Sequence, residues 1–264
     1  MYDVSIFGNL MVALALTVLA GLSTGIGSII AYFIWKPKMI YLSFSLGFSA
    51  GVMVYVSFME MMPSAILGVG ELTAVMAFFI GMVFIGVIDF AIPEMHNPHD
   101  HKKHTPSQLK GRRGLMRTGV FMAVVIAIHN FPEGLATLGA SLSSLRLGAI
   151  IALAIAIHNI PEGISVSMPI FYATGNKKKA FVYSFASGLA EPLAAVIGLL
   201  VLLPFLSPWL IAAMLAFVAG IMVYISLDKI LPAANNYGHS HVEVFGLMLG
   251  MLLMAVSIVM LRLF

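Results

Sequence analysis

Apolar and polar positions alternate along this chain in long blocks. Eight apolar stretches, at about 5–34, 39–62, 72–92, 116–141, 147–170, 179–203, 209–231 and 242–262, are separated by short polar connections. A helix needs about 20 apolar residues to cross the hydrocarbon core of a bilayer, and these stretches reach that length. The pattern predicts an all-α polytopic membrane protein with eight transmembrane helices. The longest polar connection, within 95–114, is too short for a soluble domain, so residues 1–264 are read as a single transmembrane domain. The first stretch opens after Asp3 with no basic segment ahead of it and exceeds a signal-peptide core in length, which marks a retained helix.

Charge gives these spans a direction. Lys36 and Lys38 follow the first span, Lys102, Lys103, Lys110, Arg112, Arg113 and Arg117 follow the third, and Lys177 to Lys179 follow the fifth. The second and sixth connections carry no Lys or Arg, and the fourth carries Arg146 alone. Basic residues gather on the cytosolic side of membrane helices, so the odd connections are expected in the cytosol and both termini outside. The composition, 61% hydrophobic and 9% charged, suits a chain solvated by lipid. A net charge of +3 is then accounted for by topology and calls for no nucleic-acid partner. The absence of cysteine excludes disulfides and thiolate metal ligands.

Against this apolar background stands a repeat. His129-Asn130-Phe131-Pro132-Glu133-Gly134 recurs 29 positions later as His158-Asn159-Ile160-Pro161-Glu162-Gly163. Ionisable groups at the bilayer centre cost about 3 kcal/mol or more, so such a pair marks a functional site by default. The copies lie on consecutive antiparallel helices, and His129 and His158, equally far from the joint near Ser143-Ser144, must sit at nearly one depth. Residues i and i+4 share a helix face, so each copy presents an imidazole and a carboxylate one turn apart. Each motif proline lacks an N–H, which frees the carbonyl of Ile128 or Ile157 and is expected to kink or loosen the helix. Glu191, followed by Pro192, brings a third acid to the middle of the sixth span. Two His, two Asn and three Glu at one depth, with no Lys or Arg among them, lack a positive charge, and a divalent cation supplies one. The metal site is therefore expected between helices 4, 5 and 6.

The double motif, the Ala190-Glu191-Pro192 element, the eight-span plan and the His-bearing connection after the third span resemble the ZIP family of divalent-metal transporters. The segments Ser43–Pro63 and Ala219–Pro232 are similar to the family's bacterial zinc-uptake branch, and the resemblance covers essentially the whole chain. It implies a multi-pass protein of the bacterial inner membrane, a transporter and not an enzyme, that imports divalent metal ions into the cytoplasm. It further implies a binuclear midplane site: His129, Glu133, His158 and Glu162 hold a first ion, and Asn130, Asn159 and Glu191 complete a second, with Glu133 and Glu162 bridging. Asn159 stands where some family members carry Asp. Imidazole and carboxylate suit zinc and also ferrous iron, manganese, cobalt, nickel and cadmium. Broad selectivity is expected, with the metal as cargo and no prosthetic group.

Other features keep two readings each. Glu60 and Asp89 either mark the entrance and exit of the path or are helix-end acids wetted by headgroups. Met53 stands where some family members offer a thioether ligand, although a packing role suits any one of 19 methionines. The loop from His96 to His104, and His239 with His241, suit loose binding of metal on the cytosolic side. Gly47 with Gly51, and Gly246 with Gly250, are small-xxx-small pairs that let helices approach closely, and a homodimer is one use of them. An intramembrane metalloprotease would need His-Glu-x-x-His, whereas this motif has Asn after its His; a channel or a metal sensor built on the same ligands stays open.

Overall fold

The computed structural model describes residues 4–33, 39–91, 112–202, 207–235 and 240–263. Regular structure among them is entirely helical, and eight helices are long and apolar enough to cross a membrane. Helix α1 is Val4–Ala31. Helix α2 runs over 39–69 as Met39–Val56, a widened π-turn Ser57–Met61, and Met62–Val69. Helices α3, α4 and α5 are Glu71–Ala91, Arg112–Ser143 and Leu145–Thr174. Helix α6 comprises Lys177–Gly188 and Ala190–Leu202. Helix α7 comprises Pro208–Ile225, a second π-turn Ser226–Ile230, and Leu231–Asn235, and α8 is Ser240–Leu263. The loop His96–His104 and His239 lie outside the described residues.

Polar residues set the joints. Asn176 caps α6 by accepting the Lys179 N–H at 2.9 Å, and Ser207 caps α7 by accepting that of Leu210 at 3.1 Å, followed by Pro208 in the first turn. Gly70, at φ +80°, is the single residue between α2 and α3, a left-handed position that any side chain would strain.

Both α2 and α7 extend past their expected ends at 62 and 231. Pro63 and Pro232 lack the N–H that continues a helix, and in each case the turn just ahead is widened. The Met62 N–H reaches the Ser57 carbonyl and the Leu231 N–H reaches that of Ser226, five residues back, so the helix passes its proline intact. The two π-turns fall at matching places in a second internal repeat. Gly51, Met53, Tyr55, Ser57 and Pro63 correspond in spacing to Gly220, Met222, Tyr224, Ser226 and Pro232. With alternating crossings, these two helices run in opposite directions. By contrast, α4 and α5 continue unbroken through Pro132, Pro161 and Pro169, so the loosening expected at the motif prolines does not interrupt either helix. The interruption lies in α6, where Leu189 forms a turn just before Glu191-Pro192.

Helix α5 sits at the centre, packed chiefly against α1 and α4 and flanked by α2 and α6; α8 packs on α2, and α3 on α7. Close approach is built from glycine. A Cβ at Gly47 or Gly51 would overlap the backbone of Glu243 or Leu247, and one at Gly246 or Gly250 would meet that of Phe44 or Phe48. The small-xxx-small pairs considered for a homodimer thus join α2 to α8 within one chain. The outward faces of α3 and α8 are apolar, with Phe79, Ile80, Val83 and Val87 on one and Met248, Leu252 and Val256 on the other all exposed, as a bilayer-facing surface requires.

Candidate metal centre

The two motif copies meet at one level. Glu133 Oε1 on α4 lies 3.0 Å from His158 Nε2 on α5, so the acid of the first copy faces the imidazole of the second. Asn130, Glu133, His158, Asn159, Glu162 and Glu191 are all fully buried. The His129 backbone belongs to α4, while its side chain lies outside the described residues. The glycine that closes each copy lets a neighbouring helix come in backbone to backbone. A Cβ at Gly134 would overlap the main chain of Glu191 on α6, and one at Gly163 would overlap the Thr24 carbonyl on α1. These contacts bring Glu191 to the first copy and set α1 beside the second.

Both asparagines turn their nitrogens toward protein. Asn130 Nδ2 donates to the Ser187 carbonyl on α6 at 3.1 Å. Asn159 Nδ2 donates to the Ala20 carbonyl on α1 at 3.0 Å and also to Glu191 Oε1. The opposite atoms, Asn130 Oδ1, Asn159 Oδ1 and Glu191 Oε2, are buried without a hydrogen-bond partner among the described residues. An unsatisfied buried acceptor costs on the order of 1–3 kcal/mol, and native structures retain such groups where something else completes them. Glu162 Oε1 accepts from Ser49 Oγ on α2 at 2.8 Å.

Electrostatics point the same way. Three carboxylates are buried here, and along the chain no Lys or Arg stands within two helical turns of any of them. Burying a carboxylate costs several kcal/mol unless an opposite charge accompanies it. Among the described residues no three His, Asp or Glu side chains close on a single point. Glu133 meets His158, Asn159 meets Glu191, and Ser49 meets Glu162. Imidazole, carboxylate and amide oxygens together form a hard-to-borderline donor set suited to zinc and its neighbours.

Other candidates have different surroundings. Asp89 Oδ2 pairs with Lys229 Nζ at 2.7 Å and lies 3.5 Å from the Tyr224 hydroxyl, and the same ammonium is 3.2 Å from Asp228 Oδ2. Asp89 is therefore a partner of α7 in an ion-paired group. Glu60 lies in the π-turn of α2 and is buried, not wetted at a helix end. Met53 is fully buried, its sulfur 3.7 Å from Ser226 Oγ, the hydroxyl that donates to the Met222 carbonyl. Ser49 and the carbonyls of Ala20 and Ser187 were not expected at the site. A lone serine in an apolar helix ordinarily bonds its own preceding turn, and backbone carbonyls carry no signal in sequence.

Eight membrane-crossing helices around a buried cluster of carboxylate, imidazole and amide define a multi-pass membrane protein with a polar core. The profile of the ZIP zinc transporter family matches residues 92–258. The chain is 53% identical to the zinc transporter ZupT of Chlorobium limicola, an alignment covering 96% of this chain and 99% of that protein. It is 51% identical to the ZupT proteins of Oceanobacillus iheyensis and Streptococcus mutans, again over 96% of this chain and over 99% and 98% of theirs. The chain belongs to the ZIP zinc transporter family.

Proposed function

We propose that the protein imports divalent transition metal ions, zinc foremost, across a bacterial inner membrane into the cytoplasm through the cluster on α4, α5 and α6. The observation that carries this reading is the burial of three carboxylates beside an imidazole and two asparagine oxygens, with no basic residue nearby along the chain. A dication arriving there brings positive charge to the buried carboxylates. Family membership and relatives named as zinc transporters support zinc as the cargo. Iron, manganese, cobalt and cadmium follow from the donor chemistry. The basic residues of the odd connections support a cytosolic position for those loops.

In this reading His129, Glu133, His158 and Glu162 bind one ion, and Asn130, Asn159 and Glu191 complete a second, with Glu133 and Glu162 shared. An ion at the first position takes over the Glu133 carboxylate and His158 nitrogen that now face each other. The second position draws on the amide and carboxylate oxygens that lack hydrogen bonds among the described residues. One dication is balanced by Glu133 and Glu162, whereas two dications against three carboxylates leave one positive charge in excess. Double occupancy is accordingly transient or needs a hydroxide to offset that charge.

The test is uptake of radioactive zinc into proteoliposomes across a range of concentrations, with iron, manganese and cadmium as competitors. Saturable uptake in the wild type, reduced by about two orders of magnitude in Glu162→Ala, is the expected result. Uptake that rises linearly with metal points to a channel, and zinc that binds without crossing points to a sensor.

A further inference from the structure

The two motif carboxylates are held differently. Glu133 faces the imidazole of the sister copy, whereas Glu162 accepts a hydrogen bond from Ser49 Oγ, on a helix outside the motif-bearing hairpin. A hydroxyl has a single hydrogen to give. Thr17, Ser28, Ser57, Ser167 and Ser226 each spend theirs on the carbonyl four residues back, the usual choice within a helix. Ser49, fully buried, directs its own to Glu162 at 2.8 Å. The helix that carries it is braced from another side, where Gly47 and Gly51 lie against the backbone of α8. The donor is thus mounted on a closely packed helix pair, and it acts on a carboxylate from across the α2–α5 contact.

We propose that Ser49 positions the Glu162 carboxylate for the cation and forms the wall of the metal site on the α2 side. The inference rests on the reading of Glu162 as a metal ligand. Metal–oxygen bonds are about 2.0–2.2 Å long, so an ion bound to Oε1 lies no farther than about 5 Å from the Ser49 oxygen. A hydrogen bond to a ligating carboxylate fixes its orientation, and loss of such a partner typically lowers metal affinity about 10–100-fold. Position 49 therefore acts through Glu162 and also stands within reach of the ion.

Zinc binding by calorimetry to the purified full-length chain tests this, with wild type beside Ser49→Ala and Glu162→Gln. Ser49→Ala is expected to bind zinc about 10–100-fold more weakly while keeping the thermal unfolding midpoint of the zinc-free protein. A second variant answers independently should Ser49→Ala fold poorly. The chain has no cysteine, so Ser49→Cys introduces its sole thiol, and titration with cadmium is expected to raise a thiolate-to-metal charge-transfer band absent from the wild type. If Ser49→Ala binds zinc like the wild type and Ser49→Cys shows no band, while Glu162→Gln loses binding, the role of Ser49 is overturned and the site stands. If Glu162→Gln binds zinc as tightly as the wild type, the site reading fails and takes the inference with it.

Discussion

The two copies of the HNxPEG motif are nearly identical in sequence and unlike in surroundings. In the first, Asn130 is anchored to α6 through the Ser187 carbonyl, Gly134 admits the Glu191 backbone, and Glu133 faces His158. In the second, Asn159 is anchored to α1 through the Ala20 carbonyl and also reaches Glu191, Gly163 admits α1, and Glu162 turns to Ser49 on α2. The motif supplies the donors and the small residue, and the neighbouring helix decides what each donor does. The repeat therefore builds an asymmetric site, with the α4 copy held by α5 and α6 and the α5 copy reaching α1, α2 and α6 as well as α4.

Removing either carboxylate breaks the pair most severely. Glu133→Ala and Glu162→Ala are each expected to lower zinc uptake by about 100-fold or more, because in the proposed binuclear site each takes a ligand from both ions. Equal uptake in the two variants and the wild type would sink the assignment. Next come the glycines. An alanine at Gly134 or Gly163 drives a methyl into backbone, and overpacking of this kind costs about 1–3 kcal/mol, read as a lower thermal midpoint in detergent for both variants. The asparagines sharpen the contrast. Asn159→Ala loses two hydrogen bonds, including the one that holds Glu191, and should cost about tenfold in zinc affinity, whereas Asn130→Ala, which loses one, should cost about threefold. Comparable losses would mean that the copies are equivalent after all. The smallest effect belongs to the His-rich loop, where deletion of 99–104 should change uptake less than about threefold, since loop imidazoles hold metal weakly beside a buried site.

How far the sequence discloses this arrangement depends on the range of the interaction. The eight spans are legible because lipid demands unbroken apolar blocks, and the motif residues because polar groups are costly within them. Continuation of α2 and α7 beyond Pro63 and Pro232 is not legible, since a proline ordinarily ends a helix and only the widened turns ahead of it reveal otherwise. The partnership of Asp89 with Lys229 joins α3 to α7 and has no local signature. Gly47, Gly51, Gly246 and Gly250 show the same limit, because a small-xxx-small face reads alike whether its partner is another chain or, as here, another helix of its own. Ser49 is invisible for a related reason: its sequence context matches that of serines that bond their own helix.

The most direct test of the central claim is zinc K-edge X-ray absorption of the purified wild-type protein loaded with one equivalent of zinc, compared with the Glu133→Gln/Glu162→Gln double variant. The account predicts a low-coordinate shell of nitrogen and oxygen at about 2.0–2.1 Å with imidazole outer-shell scattering, absent from the double variant. A zinc shell without imidazole, or one that is the same in both proteins, would contradict it.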